Sequence, residues 1–101
     1  MDDDFVNTIS NAVRQIHALL QQKLIPLESH VNRIISNGID DVAQIEKVLD
    51  DLLDCSQIEE GLAVFKRLCR YCYPIYPELT ASYIQLYREL YDSNEEDESE
   101  K

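Results

Sequence analysis

The chain has 101 residues, 45% of them hydrophobic and 29% charged, the balance of one globular domain with no room for two ordinary ones. Nine Lys and Arg against 20 Asp and Glu give a net charge of −11, which argues against general nucleic-acid binding and against docking on anionic membranes. Two Gly and three Pro are too few for a turn-rich β protein.

Helical periodicity begins at once. Phe5, Val6, Ile9, Ala12, Val13, Ile16, Leu19, Leu20 and Leu24 fill one broad stripe and predict a first helix that buries it. The acidic start suits the positive end of a helix dipole. Pro26 leaves two options: a helix that ends near Lys23, with Pro26 opening a second one, or a helix that kinks and continues. The segment after Pro26 buries Leu27, Val31, Ile34 and Ile35 and stops at Asn37-Gly38, a left-handed C-terminal cap.

Asp41, with Gln44 three residues on, caps the next helix in capping-box spacing. Val42, Ile45, Leu49, Leu52 and Leu53 form its buried set. Ser56 with Glu59 reads as a second capping box, opening a helix through Tyr73 that buries Ile58, Leu62, Phe65, Cys69 and Cys72. Pro74-Ile75-Tyr76-Pro77 is a rigid turn, and Pro77 begins the last helix, which runs to about Tyr91. Leu79, Tyr83, Leu86 and Leu90 are its expected core face. No segment alternates with period two. The fold class is therefore all-α: a compact antiparallel bundle of four to five helices in residues 1–91, with a disordered acidic tail at 92–101. That tail holds six acids, one Lys and no apolar residue.

Chemistry-bearing patterns are sparse. Cys69 and Cys72 form a C-x-x-C, but zinc needs four ligands, and Cys55, His17 and His30 are far off in sequence. A redox pair sits at a helix N-terminus, whereas this one falls near a helix C-terminus. Both cysteines read as small core hydrophobes. His17 and His30 flank apolar stripes and read as half-buried surface residues. No catalytic, cofactor or metal signature emerges, and the expectation is a protein that is not an enzyme. The odd cysteine count and the acidic N-terminus fit a reducing, cytoplasmic setting.

Three surface features remain. Glu46, Asp50, Asp51 and Asp54 lie away from the buried stripe, as a solvated face or as a recognition surface for a basic partner. Lys66, Arg67 and Arg70 form a basic stripe with no acid between Gly61 and Pro77. They pair with the acidic helix before them, stay solvated, or hold a phosphate. Ile84, Tyr87 and Tyr91 form a second shelf beside the expected core face of the last helix. This shelf packs on the first or second helix, or it meets a partner or a second copy. The function these features favour is a protein–protein interaction module, in its sharper form an acidic inhibitor or adaptor for a basic partner. The alternatives are a structural or regulatory homodimer through the tyrosine shelf and, third, a small helical nucleic-acid binder.

Overall fold

The structure, a computed structural model, describes residues 2–91, with side chains from Asp4 onward; the acidic segment 92–101, expected to be disordered, lies outside the described residues. Four helices follow one another: α1 (Asp2–Asn37), α2 (Val42–Cys55), α3 (Glu59–Cys72) and α4 (Pro77–Tyr91). No strand occurs among the described residues. The second half of α1 packs on both α2 and α3, and α4 packs on α3. Consecutive helices run antiparallel, as short connections require.

Pro26 does not divide the first helix. Proline has no N–H to give the carbonyl of Gln22, which normally ends or kinks a helix. Here Pro26 stands roughly 200° around the helix from Leu24. Gln22 and Pro26 are both exposed, so this break in the hydrogen-bond ladder falls on the solvent side of the helix. α1 ends as expected: Gly38 adopts φ 63°. Its N–H bonds the Ile35 carbonyl at 3.3 Å, and the Ile39 N–H bonds the Ile34 carbonyl at 3.0 Å. That pair of bonds is a Schellman cap.

The core runs along Leu24, Val31 and Ile34 of α1, Ile45, Leu49 and Leu52 of α2, and Val64, Phe65 and Leu68 of α3. Each fully buried aliphatic chain there contributes about 1.5–3 kcal/mol. Asp41 caps α2, its carboxylate accepting from the Gln44 N–H at 3.2 Å. The reciprocal half of the expected box is replaced, since the Gln44 side chain meets His30 Nε2 at 2.7 Å instead. Val42 is exposed, and Val48 is buried in the face it was expected to fill.

The second capping box is a correction. α3 has Ile58 at its N-cap and no side-chain cap bond. The Ser56 hydroxyl donates backwards to the Leu52 carbonyl at 2.8 Å and closes the end of α2. The tight turn needs Gly61. A Cβ there meets the Cys55 carbonyl oxygen at 1.9 Å, a backbone atom that cannot move aside cheaply.

α4 is rotated from its expected setting. Thr80 and Tyr83 are buried, while Leu86 and Leu90 are exposed. The reason lies in polar tips. Tyr83 reaches the Asp50 carboxylate of α2 at 2.5 Å, and Tyr91 reaches the Leu53 carbonyl at 3.0 Å. Tyr76, just before α4, reaches the Asp40 carbonyl at 2.6 Å. Leucines have nothing to offer those acceptors, so the tyrosine edge turns inward.

A larger correction concerns the start of α1. Of the stripe from Phe5 to Leu24, only Leu24 is buried and Leu20 half-buried. Phe5, Val6, Ile9, Val13, Ile16 and Leu19 stay between 49% and 68% exposed. The cause is length. A helix rises 1.5 Å per residue, so α1, with 36 residues, is about 54 Å long, and α2 and α3, with 14 each, are about 21 Å. The long axis of the molecule, 55 Å, is essentially α1. The first half of α1 is an arm projecting beyond its partners.

Candidate interaction surfaces

The arm leaves the bundle at a defined collar. The Gln21 amide donates to Glu60 Oε2 at 2.9 Å, and His17 Nε2 lies 3.9 Å from the same oxygen. The bond from Gln21 chiefly holds the Glu60 carboxyl below its usual range. Lys23 pairs with Asp54 at 3.3 Å. The Cys55 thiol, raised by burial, points at the Leu20 carbonyl at 3.9 Å. Beyond this collar the apolar stripe continues unbroken, with the same phase as the buried stripe of the second half. Val13, Ile16, His17 and Leu20 still border a shallow hollow against Gln57 and Ile58. Farther out, Phe5, Val6 and Ile9 project past that hollow and stay open to water.

The acidic residues of α2 do not form a free patch. Asp50 accepts from Tyr83, Asp51 lies 3.7 Å from Lys47, and Asp54 pairs with Lys23. Glu46 is exposed, with its backbone carbonyl near the Tyr83 hydroxyl at 3.4 Å. The buried Tyr83 hydroxyl has its pKa raised, first by desolvation and then by the Asp50 bond.

The tyrosine shelf packs within the fold, on α3 and α2 rather than on the first or second predicted helix. The Tyr87 ring lies 6.0 Å from Phe65 and 5.2 Å from Tyr91. Ile84 stays exposed, and Tyr91 keeps 36% of its surface open. Cys69 and Cys72 are buried free thiols, pushed up to about 12 and about 11 by desolvation. That environment keeps them as thiols, suited to packing.

The basic stripe splits. Arg67 turns to α1, bonding Asn32 and lying 4.0 Å from Glu28, so it does not pair with the acidic helix α2. Lys66 and Arg70 point the other way. With Arg88 of α4, they have no ion-pair or hydrogen-bond partner among the described residues. Every other described Lys or Arg bonds an oxygen. Between Lys66 and Arg88 opens a hollow of about 220 Å³ floored by Leu62, Phe65, Cys69, Ile84 and Tyr87. A second shallow hollow continues along Lys66 and Arg70 and is bordered at its start by Glu59.

Sequence reasoning missed the arm and this groove. The arm had a legible signal: an apolar stripe of about 20 residues set against later helices of about 14. The groove had none, because it depends on how α4 is rotated against α3. Among the described residues, no three His, Cys, Asp or Glu side chains converge as a metal site requires. Nor is any described helix long and apolar enough to cross a membrane. No protein-family model, curated protein or solved structure matches this chain.

Proposed function

We propose that the chain is a non-enzymatic protein–protein interaction module whose docking element is the arm of α1. One observation carries this reading: six large apolar side chains, from Phe5 to Leu19, stand 49% to 68% open to water on one helix face. The largest apolar patch on an ordinary monomer covers about 300–600 Å² and is often functional, and larger contiguous patches mark interaction sites. A lone helix segment of this length is also marginal in water without packing on its apolar face. The arm thus gains order from whatever covers it. The acidic edge of α2 supports a basic partner less strongly, since three of its four carboxylates are engaged inside the fold.

The test separates a docking face from a hidden part of the core. Val13→Glu and Ile9→Glu are made in the full chain, and urea unfolding of the bundle is followed at low concentration. The expected result is an unchanged midpoint, with fast amide exchange over residues 4–16 and slow exchange over 24–37. A midpoint lowered as far as by a core substitution means the arm packs on its own bundle, and the reading fails.

A further inference from the structure

We propose that the arm of one copy docks in the α3–α4 groove of a second copy, giving a dimer with two exchanged arms. This rests on the arm being a docking element, and it names the occupant. The match is twofold. The groove has an apolar floor of Leu62, Phe65, Ile84 and Tyr87 set between cations. The arm opens with Asp2-Asp3-Asp4 and follows at once with Phe5, Val6 and Ile9. An acidic end leading an apolar face is the complement of an apolar trough lined by Lys66 and Arg88, with Arg70 farther along α3.

The charge pattern favours this occupant over an arbitrary one. Of the described cations, Lys23, Lys47 and Arg67 lie within 4.0 Å of an acid, while Arg14 and Arg33 bond Asn11 and Ser29. Lys66, Arg70 and Arg88 have no such partner among the described residues; Lys66 and Arg88 line the trough, and Arg70 lies farther along α3. A second arm laid against the first is the obvious competitor. That arrangement leaves the trough empty, and in a parallel pair it stacks Asp4 on Asp4.

The pairing is between molecules because α1 is one unbroken helix from Asp2 to Asn37. A continuous helix cannot fold its arm back onto the groove of its own bundle. Each copy offers one arm and one groove, and docking that is reciprocal about a two-fold axis closes the assembly at two copies, whereas one-way docking extends an open chain. Asp4, Lys66, Arg70 and Arg88 are exposed, so the electrostatic part acts mainly on encounter rate and register and weakens with salt.

The experiment is sedimentation equilibrium of the full chain from low to high micromolar concentration, at low and high salt. The wild-type chain is expected to dimerise, more weakly at high salt. Ile9→Asp is expected to leave a folded monomer. A groove variant carrying Lys66→Glu, Arg70→Glu and Arg88→Glu weakens the dimer about tenfold at low salt, as does an arm variant carrying Asp2→Lys, Asp3→Lys and Asp4→Lys. The chain carrying all six substitutions recovers to within about twofold, since its charges are exchanged rather than lost. A dimer indifferent to the groove variant, or one that the combined chain fails to rescue, overturns the proposal. A monomer with fast-exchanging arm amides also overturns it while leaving the interaction-module reading in place. A monomer whose arm is protected overturns both.

Discussion

The hydroxyl of Tyr83 on α4 donates to the carboxylate of Asp50 on α2 at 2.5 Å, and this bond decides how the last helix sits. Tyr83 is buried, while Asp50 stays at the surface. The hydroxyl is satisfied, and the ring joins the buried core cluster. Tyr83→Phe keeps the ring and removes the donor. A hydrogen bond to a charged group contributes about 1.5–3 kcal/mol, and the exposure of Asp50 places the expected loss near the lower end, about 1–2 kcal/mol. Urea unfolding checks it. Asp50→Asn in the Tyr83→Phe background should then cost little more, because the partner is already gone.

Gly61 predicts a much larger effect. A methyl group at this position runs into the Cys55 carbonyl, oxygen and carbon alike, at 1.9 and 2.5 Å. No side-chain rotation relieves a clash with backbone. Gly61→Ala is expected to destabilise by about 3 kcal/mol or more, despite alanine's better helix propensity. Thermal unfolding by circular dichroism measures it, and a neutral result contradicts the tight α2–α3 turn.

Pro26 predicts the opposite sign. The helix continues through it, and the carbonyl of Gln22 lacks its partner. Pro26→Ala restores that hydrogen bond at an exposed position where nothing has to repack. The expected gain is about 1–3 kcal/mol, somewhat offset by the more flexible unfolded chain. A rise in unfolding temperature is the readout.

The thiols predict an alkaline limit. Cys69 and Cys72 carry pKa values raised from 9.0 to about 12 and about 11 by burial. In the unfolded chain they ionise near the ordinary value, so the unfolded state holds fewer protons than the folded one above that pH. Their contribution is complete below about pH 9 and is lost as pH rises toward 11 and 12. The raised Tyr83 value acts in the same direction from about pH 10 upward. The urea midpoint should fall between pH 8 and 10.5, and the fall should be shallower in the Cys69→Ala, Cys72→Ala double variant.

Much of the local structure was readable without coordinates. The left-handed cap at Gly38, the Asp41 cap on α2, the Pro77 start of α4 and the all-α class each depend on residues within a turn or two of one another. Short-range sterics and hydrogen bonding determine such features. Ser56 shows where this stops. Its hydroxyl has two backbone partners within reach, one ahead and one behind, and spacing alone favoured the wrong one. The geometry of the turn, tightened around Gly61, sends it back to Leu52.

The sequence by itself determined which residues are apolar and that they line helix faces, because helical period is a property of the chain alone. Only the tertiary structure decided which of those faces are covered. The stripe from Phe5 to Leu20 has the same periodicity as the stripe from Leu24 to Ile35, yet one is largely open and the other buried. Burial needs a partner of matching length, and α2 and α3 end at the collar formed by Gln21, Lys23, Asp54 and Glu60. The rotation of α4 was equally beyond a helical wheel. Leu86 and Leu90 are more hydrophobic than Tyr83 and Tyr91, but the hydroxyl acceptors on α2 and the Phe65 ring on α3 hold the tyrosines inward. That rotation shapes the trough beside Lys66 and Arg88. A wheel ranks faces by apolarity, whereas packing also weighs where each polar tip finds its partner.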